Sequence, residues 1–411
     1  MKISVSKSRN SLVTWLLVLA MVGFPLAATI VGFAGTDTRS ITIPYRILVF
    51  SLATLILLTG LLSPLRGKPS VILLLFFCLY FFRLFYDTNF ANNQFAPDAL
   101  QFFLVATMMP AFAIALTLDH KFDEALFASR LLLAAALSVV GYNVLIYTGR
   151  ISPEYGARAS LTALNPIALG HVAATACIAA TYIAMYRRKL VWILIAVLTL
   201  TISLPTLIAA GSRGPMVALA AALIWFGMTN KKRALVIIPA LTLGAFLLPQ
   251  DALLIERFRA VFIGLDLSSL ARLELQEAAL ADFMENPFFG KHFMDASFGE
   301  GSWPHNYFLE AAMAMGVPGL VLASMLVIGS FKAAVTCVNQ TNPLLVALLV
   351  QTLVAAQFSG SLFGNEKLFA LFSAVLALEK LNKRQAYVSN EPREPNTRRA
   401  IKSIRVSGFS R

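Results

Sequence analysis

Apolar stretches of about 20 residues recur along most of this chain, and they restrict its possible folds more than any other feature. Hydrophobic residues make up 58% of the 411 residues, charged residues only 13%, and the mean hydropathy is +0.73. A soluble domain carries about 25% charged residues, whereas about 20 consecutive apolar residues are enough for one helical crossing of a bilayer. The sequence therefore predicts an all-α, polytopic integral membrane protein.

Basic clusters between the apolar stretches predict the direction of each crossing, because Lys and Arg are enriched in cytoplasmic loops. They leave room for about twelve transmembrane helices with both termini in the cytoplasm. The predicted spans are 12–34, 44–62, 71–86, 98–117, 126–148, 166–186, 190–210, 214–229, 234–249, 306–331, 343–363 and 368–381. Arg83 and Arg130 lie near the ends of spans, where we expect their side chains to reach the lipid headgroups.

The C-terminal segment differs in composition from the transmembrane domain, residues 1–381. Of the net charge of +13, the residues from Lys380 onward contribute +7, as nine Lys and Arg less two Glu. A basic segment directly after a last span is typical of a cytoplasmic tail near anionic lipid. The composition of residues 382–411 also predicts disorder. Because no folded domain accompanies this charge, it does not indicate nucleic-acid binding.

Neither the cysteines nor the carboxylates form a recognisable metal motif. Cys78, Cys177 and Cys337 share no close spacing, so the sequence predicts no disulfide framework. The chain also lacks an Asp-x-Asp pair that would hold a divalent ion between phosphates. We therefore expect no metal and no other cofactor, although scattered carboxylates in the loops leave a metal open.

One segment between predicted spans is much longer than the others. It runs from about Gln250 to Trp303 and defines a predicted cap, residues 250–305, on the outer face of the membrane. Stretches 252–262 and 270–284 both have the pattern of a helix. Long loops in compact proteins are often functional, and the candidate chemistry lies in and beside this one.

Two arginines on the predicted outer side lie where a helix begins. Arg213 precedes Pro215, which favours the first turn of a helix, and Arg272 follows Ser269, a suitable N-cap. A cation at the positive end of a helix dipole is unfavourable unless an anion joins it. Since planar guanidinium groups bind phosphate oxygens in pairs, the two arginines predict a pyrophosphate site. The alternatives are that Arg213 reaches a lipid phosphate and that Arg272 forms an ordinary surface ion pair.

His305 is the candidate for a base at neutral pH. Pro304 predicts a helix start, which places His305 and Asn306 in the first turn and Glu310 one turn beyond Asn306. A helix N-terminus and nearby arginines lower the pKa of an imidazole and keep it neutral, as a base requires. Glu310 would orient His305 or cap a polar pocket, unless the whole group merely lies in the headgroup layer. His171, inside a predicted span, is expected to be a satisfied interior histidine.

Four short motifs follow one another along the chain, and their order is more informative than any one of them. They are Arg158 ahead of Asn165-Pro166, Ser212-Arg213-Gly214, Arg272 before Glu285-Asn286-Pro287 and Gly290, and His305-Asn306 before Gly316 and Gly319. Together with the long outer loop, they resemble the O-antigen ligase and O-antigen polymerase family. The resemblance implies an inverting, metal-independent transferase of the bacterial inner membrane, with its active site on the periplasmic side.

The resemblance also implies roles for individual residues. Arg213 and Arg272 would hold the diphosphate of an undecaprenyl-diphosphate-linked glycan, and His305 would activate or position the acceptor hydroxyl. The supporting pocket residues would be Arg158, Ser212, Asn306 and Glu310. The spacer from Arg272 to His305 is short for a ligase that acts on lipid A-core, which leaves the acceptor open.

Several functions remain as alternatives at this point. A ligase transfers a glycan onto lipid A-core, whereas a polymerase joins one lipid-linked repeat to another or extends an exopolysaccharide. A transporter or flippase of lipid-linked sugars would instead have ionisable residues near mid-membrane and helices broken there. A non-catalytic subunit of an assembly complex is the third possibility.

Overall fold

The described part of the chain is mostly helical in its structure, a computed structural model. The described residues are 2–35, 38–62, 69–119, 122–150, 165–187, 189–228, 259, 267–299 and 301–390. No β-strand occurs in these ranges. The predicted all-α class is thereby confirmed.

Ten helices precede residue 229 in the described ranges. They are α1 (Lys2–Val18), α2 (Phe24–Phe33), α3 (Thr42–Leu62), α4 (Val71–Asn89), α5 (Ala96–Phe102), α6 (Met109–Thr117), α7 (Glu124–Tyr147), α8 (Pro166–Tyr186), α9 (Leu190–Ala209) and α10 (Arg213–Met228). A 3-10 turn, Thr38–Ile41, precedes α3. The π-helical segments Leu19–Gly23 and Phe103–Met108 connect α1 to α2 and α5 to α6, so each pair forms one continuous span.

Four longer helices follow residue 266. They are α11 (Leu267–Glu285), α12 (Tyr307–Ala333), α13 (Pro343–Ala355) and α14 (Glu366–Asn390). Shorter helical segments lie at Ala296–Phe298, Ala334–Val338 and Asn339–Thr341.

Eight helical segments in the described ranges are long and apolar enough to cross a membrane. They are Arg9–Phe33, Thr42–Thr59, Val71–Asn89, Ala96–Thr117, Glu124–Tyr147, Pro166–Tyr186, Leu190–Ala209 and Tyr307–Thr336. Helices α10 and α13 are apolar but shorter. The polytopic architecture is confirmed, whereas the count of about twelve is not. The predicted span 234–249 and the predicted helix 252–262 lie outside the described residues.

The last two predicted spans end at other residues than the sequence indicates. Helix α13 stops at Ala355 instead of 363, and a polar loop with Gly360 at φ +86° follows it. Helix α14 continues past residue 381 to Asn390. An ion pair one turn apart, Lys383 Nζ to Glu379 Oε1 at 2.6 Å, favours that extension. Residues 391–411 lie outside the described part of the chain.

The segments predicted to lie on opposite sides of the membrane gather at opposite ends of the bundle. At one end, which we call the loop end, Arg83 of α4 donates to the carbonyl oxygens of Phe289 and Lys291, both at 2.9 Å. At the other end, Arg187 donates to the Ala125 carbonyl at 2.8 Å. The loops that carry the candidate site therefore meet on one face.

The expectation that Arg83 and Arg130 extend to headgroups is wrong. Arg83 holds the loop after α11, and Arg130 donates to the Ser11 carbonyl at 2.9 Å while its guanidinium carbon lies 4.7 Å from the Trp15 ring centroid. Hydrogen bonds to protein oxygens and contact with an aromatic ring stabilise these two cations, so they do not need lipid phosphates as partners.

The segment after α11 packs backbone against backbone on a break in α12. Gly316 has φ +65° and ψ −157° inside α12, and the Val317 N–H donates to the Pro287 carbonyl at 2.7 Å. A Cβ on Gly290 would lie 2.4 Å from the carbonyl carbon of Ala314. Both glycines therefore serve this close approach, which brings residues 286–299 and 301–306 across the end of the bundle.

A cluster of aromatic rings fixes the first turn of α12. The Tyr307 ring lies 6.3 Å from Phe76 of α4 and 6.3 Å from Phe372 of α14, measured between centroids. Phe76 in turn lies 5.5 Å from Phe369. Buried aromatic residues of this kind contribute strongly to packing, so the position of His305, two residues before Tyr307, depends on three helices.

Candidate active site

Arg213 and the start of α11 are directly connected. Arg213 lies at the start of α10, as predicted, although the helix begins at Arg213 itself and not at Pro215. Its Nη2 donates to the Ser269 hydroxyl at 2.9 Å. Ser268 Oγ lies 3.5 Å from the same nitrogen. The prediction that Ser269 caps the helix is wrong, because α11 begins two residues earlier, at Leu267. Its hydroxyl accepts from Arg213 and so brings the two helix starts together.

Arg213 and Arg272 line one cavity, as the predicted pyrophosphate site requires. This arginine cavity has a volume of about 60 Å³. Its walls are formed by Ile167, Ser212, Arg213, Gly214, Pro215, Ser268, Arg272, Phe358 and Ser359. Two guanidinium groups beside two helix N-termini attract an anion.

His305 lies just before α12, in a backbone conformation that non-glycine residues seldom adopt. Its φ is +53°, in the left-handed region. Asn306 is the N-cap, its Oδ1 accepting from the Leu309 N–H at 3.0 Å, and the helix begins at Tyr307. The prediction that Pro304 opens the helix and that His305 and Asn306 lie in its first turn is therefore wrong. The Asn306 side chain, a stronger N-cap than any neighbour, determines the start.

The surroundings of His305 favour a neutral imidazole. Burial, followed by the positive charge of Arg272, lowers the pKa of His305 to about 4, while a hydrogen bond with the Gly360 backbone acts in the opposite direction. Nδ1 is buried and has no hydrogen-bond partner among the described residues. A neutral ring with one nitrogen available is the form that accepts a proton.

His305 lines a second cavity, of about 280 Å³, which we call the histidine cavity. His171 also lines it, and its Nε2 lies 3.2 Å from the Ser359 hydroxyl. The remaining walls are Asn165, Ile167, Ala168, Thr175, Trp303, Gln351, Thr352, Ala355, Ala356, Ser359, Gly360, Gly364, Asn365, Glu366 and Lys367. The interpretation of His171 as a satisfied interior residue is wrong, since its Nδ1 is buried without a partner among the described residues.

The two cavities adjoin each other. Ile167 and Ser359 line both, so the guanidinium groups of Arg213 and Arg272 border the space beside His305. All three residues predicted to be catalytic therefore lie at the loop end, around two adjoining cavities.

The loop between α13 and α14 forms one wall of the histidine cavity, and no motif in the sequence indicates this. The Tyr307 N–H donates to the Ala356 carbonyl at 3.0 Å, and Glu310 Oε1 accepts from the Leu362 N–H at 2.7 Å. Glu310, 2% exposed, thus holds this loop in place and lines neither the arginine nor the histidine cavity. Of the two roles weighed for Glu310, the geometry favours closing the pocket over orienting His305.

The other predicted pocket residues divide into three cases. Ser212 lines the arginine cavity and is 4% exposed. Asn306 uses its side chain as the cap of α12. Arg158 lies outside the described residues, so its place near the site stays a prediction.

One group of side chains has the spacing of metal ligands. The ligand atoms of Asp282, His292 and Asp295 lie within 4.8 Å of one another. Asp282 Oδ1 already accepts from the Lys291 ammonium at 2.7 Å, and Oδ2 lies 2.8 Å from His292 Nε2. None of the three lines the arginine or the histidine cavity, so this group is separate from the candidate active site.

The fold and the site define a helical membrane protein with an arginine-lined cavity next to a histidine-lined cavity at one end of its bundle. Residues 198–324 match the sequence model of the O-antigen ligase family, which confirms the resemblance inferred from the motifs. The matched segment contains Arg213, Arg272 and His305. A search of curated proteins gives no significant match.

Proposed function

We propose that the protein is an inverting, metal-independent glycan transferase that acts as an O-antigen ligase or as a polymerase of lipid-linked repeats. The observation that carries the proposal is the pair Arg213 and Arg272 in one cavity, next to the cavity that His305 lines. The family match over residues 198–324 supports the same class of reaction.

Arg213 and Arg272 would bind the diphosphate of an undecaprenyl-diphosphate-linked glycan. Their charge is permanent, and the starts of α10 and α11 add the positive ends of two helix dipoles. In the reaction, the bond between the anomeric carbon and the diphosphate oxygen breaks, and the electron pair leaves with the carrier diphosphate. The cations stabilise the charge that develops on this oxygen, so no metal ion is required for that step.

His305 would accept the proton of the incoming hydroxyl. The acceptor oxygen forms the new bond to the anomeric carbon on the face opposite the diphosphate, which inverts the configuration. Nδ1 of His305, buried and without a partner among the described residues, is the available acceptor atom. The negative charge of the bound diphosphate would counteract Arg272 and raise the pKa of His305 toward neutrality, where a base is most effective.

The proposed location is the bacterial inner membrane, with the active site on the periplasmic side and both termini in the cytoplasm. The candidate residues gather at the loop end, and the basic clusters predicted to be cytoplasmic include Arg187 at the other end. The proposed acceptor is lipid A-core or another lipid-linked glycan.

The test is transfer by the purified protein in liposomes that contain an undecaprenyl-diphosphate-linked glycan and a glycolipid acceptor. The expected result is an elongated acceptor and free undecaprenyl diphosphate in equal amounts, with EDTA present. Absence of transfer with both types of acceptor would contradict the proposal. In a deletion strain, free polymer without attachment indicates a ligase, and single repeats indicate a polymerase.

One observation favours a transporter as the second candidate. Helix α12 is broken at Gly316, inside a candidate span, and broken helices line the substrate paths of transporters. The docking of residues 287–291 on this break provides another explanation. Movement of the lipid-linked glycan across the bilayer without any transfer would favour the transporter.

A further inference from the structure

A third cavity at the loop end adjoins the histidine cavity and has different walls. It has a volume of about 550 Å³, within the range of roughly 300–1,000 Å³ typical of small-molecule sites. Trp303 lines both this cavity and the histidine cavity. We call it the aromatic cavity.

Three rings in its wall hold one another in edge-to-face contact. The Phe363 ring lies 5.5 Å from Trp303 and 5.8 Å from Phe102, with interplanar angles of 89° and 81°. The Trp303 Nε1 is buried and has no partner among the described residues. An aromatic wall with an available donor is well suited to the faces and hydroxyls of a sugar ring.

Polar side chains complete the cavity beside these rings. The guanidinium carbon of Arg46 lies 4.2 Å from the Phe102 ring centroid, and Arg46 Nε is buried without a partner among the described residues. Asp98 and Gln101, both exposed, line the same cavity. Guanidinium, carboxylate and amide groups together offer the donors and acceptors that sugar hydroxyls need.

The arginine and aromatic cavities meet the histidine cavity at different residues. The arginine cavity meets the histidine cavity at Ile167 and Ser359, whereas the aromatic cavity meets it at Trp303. A leaving diphosphate and an incoming hydroxyl must lie on opposite faces of the anomeric carbon. With the diphosphate at the arginines, the aromatic cavity is the compartment from which the hydroxyl can reach His305.

The aromatic cavity also reaches the outer surface of a candidate span. Ile43 and Ile47 of α3 line it and are 68% and 59% exposed. Helix α3 is long and apolar enough to cross a membrane, so lipid would cover these exposed side chains in a bilayer. A molecule in the cavity can therefore keep an attached lipid in the bilayer.

We propose that the aromatic cavity binds the acceptor, as the terminal sugar of a membrane-anchored glycan. The ring packs on Phe102 and Trp303, and Arg46, Asp98 and Gln101 bind its hydroxyls. This assignment rests on the proposed function. Arg46, Asp98 and Phe102 lie outside the family-matched residues 198–324, so acceptor choice can vary without change to Arg213, Arg272 or His305.

The test locates the acceptor without requiring turnover. A photo-crosslinking amino acid replaces Gln101 in the full-length protein, and the matched control replaces Tyr147, 92% exposed and in neither the aromatic nor the histidine cavity. The probes are radiolabelled dodecyl glycosides of hexoses and N-acetylhexosamines, in nanodiscs without donor. We expect label at position 101 with at least one sugar, competed by the unlabelled glycoside and absent at position 147.

Two further variants test whether the label reports the proposed contacts. Arg46→Gln and Asp98→Asn should each lower the label at position 101 about tenfold, the loss expected for a hydrogen bond to a charged group. Arg150→Gln, which changes an exposed arginine bound to the Phe33 carbonyl, should leave it unchanged. Equal label at positions 101 and 147, or label that neither cavity variant lowers, would overturn the assignment.

Kinetics distinguish this inference from the proposed function. In liposomes, Arg46→Gln should raise the KM for acceptor about tenfold and leave the KM for donor unchanged. An increase in the KM for donor alone would overturn the assignment while the transferase stands. Label at position 101 in a protein that transfers no glycan would overturn the proposed function instead.

Discussion

The segment between α11 and α12 has two halves that differ in how their polar groups are satisfied. The docked half is residues 286–295, and in it Arg83 donates to the carbonyl oxygens of three successive residues, 289–291. The Phe293 N–H donates to the buried carboxylate of Asp87 at 2.8 Å. In the open half, residues 301–306, Trp303 Nε1 and His305 Nδ1 are buried without partners among the described residues.

The two histidines of this segment show what the difference means. His292 Nε2 lies 2.8 Å from Asp282, and its ring is part of a network with Lys291. His305 faces a cavity and the charge of Arg272, and the pKa of its ring is lowered to about 4. The docked half thus holds the segment on the bundle, and the open half retains groups that a substrate can bind.

Removing either cation of the arginine cavity should strongly lower activity. Arg272→Ala and Arg213→Ala should each lower kcat by about 10²–10³-fold, the loss typical of a group that stabilises developing negative charge. The measurement is transfer in liposomes at saturating donor. Arg150→Ala is the control and should keep full activity.

Gly290→Ala should destabilise the docked half more than any other small substitution there. A Cβ would meet the backbone of Ala314 at 2.4 Å, so the segment must move away from α12. Gly299→Ala is the matched control, because Gly299 also has a positive φ, +90°, but has no atom within 4 Å of the added Cβ. We expect the thermal unfolding midpoint in detergent to fall modestly for Gly299→Ala, which adds only about 1–3 kcal/mol of backbone strain. It should fall markedly for Gly290→Ala, which adds the steric clash to this strain.

Arg83→Ala should also weaken the docked half, because it leaves the Asp87 carboxylate buried without its cation. The expected loss is about 3–5 kcal/mol, as for other buried pairs that lose one partner. The double variant Arg83→Ala, Asp87→Asn removes the buried charge and should recover part of this loss. Equal unfolding midpoints for the single and double variants would contradict this role of Arg83.

The pH dependence should reveal the low pKa of His305. Because its folded pKa lies below the ordinary value of about 6.5, the imidazole stays neutral until the pH falls to about 4. The acidic limb of kcat/KM, which reports the free enzyme, should therefore lie near pH 4. The acidic limb of the pH profile of kcat should lie at a higher pH, since the negative charge of the bound diphosphate offsets the positive charge of Arg272. A kcat/KM limb at 6.5 or above would contradict this account of His305.

The same shift has a consequence for stability. Between pH 6.5 and 4 the unfolded chain binds a proton on His305 that the folded protein does not bind. This group therefore lowers the stability of the fold as the pH falls through that window. His305→Gln should show a flatter decrease of its thermal midpoint over the same range.

The sequence predicted the helices and the arginine pair because these depend on local pattern. Apolar length identifies the spans, and Pro215 indicates the start of α10 to within two residues, since the helix begins at Arg213. The start of α12 was predicted wrongly because two residues, Pro304 and Asn306, both suit a helix start, and the side-chain cap of Asn306 determined it. The deciding contact is itself local, so the error lay in weighing the proline above the side-chain cap.

The residues that the sequence did not assign to the site depend on contacts between distant segments. His171 belongs to α8, yet it meets Ser359, 188 positions later in the chain. Trp303 and Arg46 line one cavity from opposite parts of the sequence. No periodicity or motif links such residues, so only the packing of α3, α8 and the 356–365 loop brings them into one site.

We assign His305, and not His292, to the chemistry. Comparing His305→Ala with His292→Asn tests this, in liposomes that contain a carrier-linked glycan and a glycolipid acceptor. Loss of a general base predicts a decrease of about 10²–10⁴-fold in kcat for His305→Ala, with nearly full activity for His292→Asn. Full transfer by folded His305→Ala, or an equal loss in both variants, would contradict the claim.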